Sequence, residues 1–286
     1  MMASAVAIAQ QPGKQAPAAA SSQPKSQFLR LTRDAKNHPV ALETSIVRFA
    51  PADHRKDGPA VDLIGALHIG EKSYYKQLNR EFANYDVVLY ELIAKKEAVI
   101  PKGSKGTGSA LSGIQNGMKD MLNLEFQLQQ IDYTAKNLVH ADMSPEQFSE
   151  SMRNDDFVGM FARMMGYAMA KQQQSDTGAT NVQLFAALFS KNRALALKRI
   201  MAEQFESSEG QLTAMEGPQG STLIARRNKV ALDELRKQLA AGKRKIAIFY
   251  GAGHMSDMQK RLHDDFGLVP TSTRWLTAWD LTGGQK

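Results

Sequence analysis

Apolar residues along this chain recur with two periods, and the order in which the periods alternate predicts the fold. Short, near-continuous apolar runs stand at 61–66 (VDLIGA), 87–93 (VVLYELI) and 246–250 (IAIFY). Runs of this kind, rich in β-branched and aromatic residues, predict strands covered on both faces, as in a parallel sheet. Between the first two, EKSYYKQLNREFANY sets Tyr74, Tyr75, Leu78 and Phe82 at helical spacing, so the stretch reads as strand, helix, strand: a βαβ unit. ALETSIVRFA, with mixed alternation, predicts a strand paired to the 61–66 run as a hairpin, with Asp57 and Gly58 at the turn. TSTRWLTAWDL predicts a closing strand.

Strand signals nearly vanish between Pro101 and Gly220. After the Gly/Ser-rich loop GSKGTGSALSG, helices are predicted at MKDMLNLEFQLQQIDY, SPEQFSESMRNDD, DFVGMFARMMGYAMAKQQQ and VQLFAALFSKNRALALKRIMAEQF. The second opens with Ser144 as N-cap, Pro145 at the first helical position and Gln147 completing a capping box. Another helix, STLIARRNKVALDELRKQLAAGKRK, leads into IAIFY. The expected architecture is therefore α/β: a mixed, mainly parallel central sheet with flanking helices and a large all-helical insertion at about 102–220. The Met-rich faces of that insertion suit adaptable core or a groove. Residues 1–37 read as a disordered tail, biased to Ala, Pro, Gln and Ser, ahead of one domain at 38–286.

Charge and composition narrow the function. The net charge of +7 invites a nucleic-acid reading, but Lys14, Lys25, Arg30, Arg33 and Lys36, against Asp34 alone, put most of it in the first 40 residues. The remainder carries no recognisable basic motif, so no nucleic-acid partner is expected. Without cysteine, disulfides, thiol catalysis and thiolate metal sites are excluded. No apolar run reaches the length of a membrane span. A short apolar start with Ala7-Ile8-Ala9 before Gln10 resembles a signal-peptidase site but lacks a basic leader, leaving export and a cytoplasmic location both open.

Ligands of open parallel sheets bind beyond the carboxyl ends of the strands. His68 and His254 fall there, each in a Gly-Ala-x-His stretch or its close equivalent (GALH, GAGH), with Gly65, Gly251 and Gly253 suited to a sharp or close-packed backbone. Glu91 interrupts an apolar strand end, where a carboxylate needs a proton, a pairing or a cation. Arg227 shares a helix face with Ile224, Ala231 and Leu235 and points inward, whereas Arg226 is expected to face solvent. Each residue alone also fits a structural role, such as a plain Arg–Glu pair. Taken together, imidazoles and a carboxylate suit a divalent first-row metal with open positions for water, and Arg227 suits a developing oxyanion. Glu91 would be ligand or general base. His140 and Asp142 are weaker candidates to line the cleft, and Tyr74, Tyr75 and Tyr250 flank it. His38, His54 and His263 read as structural or solvent-facing.

The two Gly-x-x-His motifs at 65–68 and 251–254, Tyr-Glu-Leu at 90–92 and Arg227-Asn228 resemble the TraB/GumN/TIKI superfamily in kind and order, over about 61–268. That resemblance implies a fold related to erythromycin-esterase-like and ChaN-like proteins. It also implies a metal-dependent hydrolase of the metallopeptidase type, with His68, His254 and Glu91 as ligands to manganese or cobalt, zinc being a further candidate. The substrate would be a peptide or small molecule. The rival expectations are a metal- or ligand-binding module without turnover, and a metal-independent esterase with a histidine base.

Overall fold

A computed structural model of the protein describes residues 28–53, 55, 57–96, 98, 100, 101, 121–154, 186, 187, 189–215 and 222–283. Strands β1 (Leu29–Arg33), β2 (Pro39–Pro51) and β3 (Ala60–Ala66) come first, followed by the short β4 (Ile69–Gly70), α1 (Lys72–Phe82) and β5 (Val87–Tyr90). Next are β6 (Glu125–Phe126), the single turn α2 (Gln127–Gln130), β7 (Leu138–His140), α3 (Pro145–Asn154), α4 (Arg193–Met215) and α5 (Thr222–Ala240). A last group holds β8 (Lys245–Gly251), a 3-10 turn (Ala252–His254), α6 (Met255–Phe266) and β9 (Leu268–Asp280).

Seven of these strands form one mixed, largely parallel sheet. β3, β8, β5 and β7 lie side by side and parallel, in that order. β2 joins β3 antiparallel, as the predicted hairpin requires, and β9 runs antiparallel along the other edge of β2. The βαβ unit β3–α1–β5 therefore brackets a gap that β8 fills. This insertion sets the ends of β3, β8 and β5 next to one another although their residues are far apart in sequence.

Period-two alternation divides the strands between two cores. Ile64, Ala66, Val88, Tyr90, Ala247 and Phe249 face α1 and α4, against Tyr75, Leu78, Phe82 and Leu197. Val61, Leu63, Leu89, Ile246 and Ile248 face α5 and α6, against Ala231, Leu235, Met258 and Leu262. Each fully buried large apolar side chain contributes about 1.5–3 kcal/mol over leaving it in water. α6 ends at Gly267, whose φ of 64° is left-handed and closes the helix before β9.

Several expectations change. Among the described residues no large all-helical insertion is evident: β6 and β7 lie inside 102–220, and β7 extends the main sheet by pairing with β5. The helix expected over MKDMLNLEFQLQQIDY is broken at Asn123, which turns the chain with a φ of 52° ahead of β6. β1 lies within the stretch read as tail, paired to β2. The loop GSKGTGSALSG and the helix DFVGMFARMMGYAMAKQQQ fall outside the described residues. The capping box holds: the Ser144 N–H donates to Gln147 Oε1 at 2.9 Å and the Gln147 N–H to Ser144 Oγ at 3.2 Å. Within the described residues no helix is long and apolar enough to cross a membrane.

Candidate functional site

The carboxyl ends of the four parallel strands deliver the polar residues. Glu91 follows β5, Asp142 follows β7, Gly251 ends β8, and His68 stands just past β3. α5 brings Arg227 across from the Ala231–Leu235 face, which is buried as its spacing predicts. The guanidinium grips Asp142 with two bonds, Nε to Oδ1 at 3.0 Å and Nη2 to Oδ2 at 2.6 Å, and Nη2 also donates to Glu91 Oε1 at 2.6 Å. The other oxygen of Glu91, Oε2, accepts the Gly251 N–H at 2.6 Å. A Cβ on Gly251 would stand 3.3 Å from that oxygen, so glycine keeps the approach open. Gly253, by contrast, has open space around it and needs no such freedom.

His254 completes the group. Its Nδ1 lies 2.7 Å from Asn228 Oδ1, while Asn228 Nδ2 donates to the His254 carbonyl at 3.1 Å and to Asp257 Oδ2 at 2.8 Å. Because the amide nitrogen is committed to two acceptors, Oδ1 must accept, and the imidazole proton sits on Nδ1. In the neutral ring Nε2 then carries the lone pair, which accepts an N–H from Arg227 Nη1 at 3.4 Å and stands 3.5 Å from Glu91 Oε1.

Burial favours the neutral ring and pushes the His254 pKa below its ordinary value, against the opposing pull of the Glu91 carboxylate. Burial alone would raise the Glu91 pKa, but His254, Arg227 and the Gly251 N–H more than offset it, and the carboxyl sits below its usual range. Arg227 is likewise opposed by burial, yet its bonds to Asp142 and the charge of Glu91 raise its pKa. One guanidinium thus faces two carboxyl groups, a formal charge of minus one in a group whose side chains are 13% (Arg227), 9% (Glu91) and 0% (Asp142) exposed. Of the guanidinium N–H groups, those on Nη1 are the least engaged.

Three of the four residues singled out in the sequence, Glu91, Arg227 and His254, thus meet directly. His68 is exposed and stands aside from this contact, close enough for its charge to act on both Glu91 and His254. Asp142, weakly signalled in the sequence, is the principal partner of Arg227. His140 is turned away, its Nε2 bonded to the Leu92 carbonyl at 2.6 Å. Asn228 carried no signal beyond its place beside Arg227. Tyr74 and Tyr75 are core residues whose hydroxyls donate to the Gly65 and Leu67 carbonyls. Tyr250 donates to the Ala141 carbonyl and sets its ring edge-on to His254. Arg226 is half-buried and donates to Ser151 Oγ, contrary to the solvent-facing position expected of it.

The expected metal can be weighed against these donors. Nε2 of His254 and Oε1 of Glu91 are spaced as two ligands of one ion would be, and the excess negative charge is compatible with a cation. Yet both Glu91 oxygens already hold donors, and among the described residues no three His, Asp or Glu side chains form a metal-holding group. The residues do not close a three-ligand centre, and no step below is routed through a metal. Compared with protein families, curated proteins and solved structures, the chain matches none of them.

Proposed function

We propose that the protein is an acyl hydrolase, acting on esters or amides with His254 as general base. The observation that supports this best is the lone pair on Nε2, fixed by Asn228 from behind and turned toward Glu91 and Arg227. In this reaction a water beside Nε2 gives up its proton to the imidazole as its oxygen attacks the substrate carbonyl carbon. Glu91 steadies the imidazolium that forms, and Nη1 of Arg227 donates to the developing oxyanion. As the carbon–heteroatom bond breaks, His254 returns the proton to the leaving group, releasing acid and alcohol or amine.

A second reading, the metal-dependent peptidase that the motif resemblance implies, is favoured by the 3.5 Å spacing of Nε2 and Oε1 and by the excess negative charge. His68 would then move in as a third ligand. One experiment separates the readings: a panel of esters and capped peptides assayed with chelator-treated protein, alone and with Mn²⁺, Co²⁺ or Zn²⁺, beside His254→Ala. Hydrolysis that resists chelation and is lost in the variant supports the base mechanism. Hydrolysis restored only by an ion supports the metal. Wild-type protein that cleaves nothing under any condition, though it binds an ion or ligand, overturns both in favour of a binding module.

A further inference from the structure

Behind His254 stands a carboxylate that takes no part in the reaction as written. Asp257, on the first turn of α6, is 33% exposed and reaches back to the buried Asn228 of α5. Its Oδ2 accepts from Asn228 Nδ2 at 2.8 Å. The same oxygen accepts from Arg261 Nε, one turn further along α6, at 2.8 Å.

A side-chain amide fits its surroundings either way round, and the donors and acceptors it meets decide between the two orientations. As found, both hydrogens of Asn228 Nδ2 have an acceptor, the His254 carbonyl at 3.1 Å and the Asp257 carboxylate at 2.8 Å. Oδ1 faces the imidazole Nδ1 at 2.7 Å. Turned over, the amide would set its oxygen against both of those acceptors and its nitrogen against Nδ1. The neutral ring would then carry its proton on Nε2, and the base would be lost. Of the two acceptors that oppose this rotation, the carboxylate is the nearer and the charged one. A hydrogen bond to an ionised acceptor is about twice as strong as one to a neutral carbonyl, so Asp257 does more of the holding.

We infer that Asp257 is a positioning residue: it fixes the orientation of the Asn228 amide and, through it, keeps the His254 proton on Nδ1. The inference rests on the hydrolase reading and deepens it, because the lone pair on Nε2 then depends on a residue outside the group formed by Glu91, Arg227 and His254. Asp257→Asn removes the constraint, since the new amide donates as readily as it accepts and tolerates Asn228 either way round. A carboxylate in the first turn of a helix also stabilises the helix itself, so the test must read more than stability.

The ring can be read directly. In the isotope-labelled full chain at about pH 8, where a histidine of ordinary pKa is neutral, proton–nitrogen NMR distinguishes a protonated ring nitrogen from a bare one. The His254 signals are those missing from His254→Gln. Wild type should show Nδ1 protonated and Nε2 bare. In Asp257→Asn the proton should move to Nε2 in most molecules. On a substrate from the hydrolysis panel, kcat should then fall about tenfold, in step with the loss of the Nδ1 form, while KM stays within about twofold. Arg261→Gln is the control: it breaks the ion pair on α6 but keeps the carboxylate. It should lower the melting temperature by a similar amount and leave tautomer and kcat unchanged. A wild-type ring protonated on Nε2, or an unshifted ring in Asp257→Asn, would overturn the inference. The same shift in Arg261→Gln would also overturn it, reducing Asp257 to a support of the helix. The spectra need no substrate, so a tautomer that shifts while kcat does not would sink the histidine-base reading and leave the positioning role standing.

Discussion

Two arginines in this fold each hold a buried aspartate with two hydrogen bonds, at opposite ends of the parallel strands. Near the start of β3, Arg48 binds both oxygens of Asp62 at 2.8 Å, and the Tyr85 hydroxyl donates to the same carboxylate at 2.6 Å. Arg274 and Glu81 pair alongside. Every charge there has an opposite, and every strong donor faces an acceptor. At the far ends of the strands, Arg227 binds Asp142 in the same manner but must also serve Glu91, and an imidazole lone pair is turned into the group. The first arrangement is a closed account; the second has one carboxyl group too many and a base without a proton. Similar ingredients thus give a clamp in one place and chemical capacity in the other. The difference lies in stoichiometry and in which strand ends supply the residues.

The largest expected contrast is in activity. On a substrate found in the hydrolysis panel, His254→Ala should lower kcat by about 10²–10⁴-fold, the usual contribution of a general base. Asp62→Asn should leave kcat within about twofold while lowering stability. Equal losses in both variants would dissolve the distinction between clamp and site.

Stability should separate the two arginines as well. Arg227→Met leaves two carboxyl groups facing each other with side-chain exposures of 9% and 0%, a loss of about 3–5 kcal/mol in urea unfolding. Arg48 is 44% exposed and Asp62 keeps Tyr85, so Arg48→Met should cost only about 1 kcal/mol. A smaller effect sharpens the comparison further. Asn228→Leu releases Nδ1 and lets the proton change nitrogen, so kcat should fall about 10–100-fold, as for loss of other groups that orient a catalytic or ligating histidine. Asn228→Asp, which still accepts from Nδ1, should recover part of that loss; no recovery would mean that Asn228 acts only through packing.

The chemistry at the strand ends was more legible in the sequence than the reason it converges. Short apolar runs revealed β3, β5 and β8, and the 3–4 spacing on α5 put Arg227 on the inward face, because burial leaves a periodic trace. The position of β8 between β3 and β5 left none, since pairing order is a property of the whole sheet and not of any window. β7 escaped notice for a related reason: Leu138, Val139 and His140 are too few to show a period, and only the exposed edge of β5 makes them a strand. Asp142 was therefore a minor candidate until β7 carried it opposite Arg227. Asn228 was silent because a buried asparagine on a helix looks like any polar residue until its partner is placed.

The finest test concerns protons. His254 has a folded-state pKa below its ordinary 6.5, so as pH falls beneath that value the unfolded chain takes up a proton that the folded ring resists. Stability from this group is complete above the unfolded pKa and drains away on acidification toward the depressed folded value. Glu91, also depressed, adds a second decline below 4.5. For one proton the slope cannot exceed about 1.4 kcal/mol per pH unit. Urea midpoints between pH 7.5 and 5 should therefore fall for wild type and fall less for His254→Gln, which has nothing to protonate. Raising ionic strength should barely alter that difference, because a pair this deeply buried is poorly screened. Parallel slopes in the two proteins would mean that folding leaves the imidazole unshifted, and a wild type that falls less than the variant would mean that the folded ring already holds its proton, so that the base at the centre of the proposed reaction would be spent before a substrate arrived.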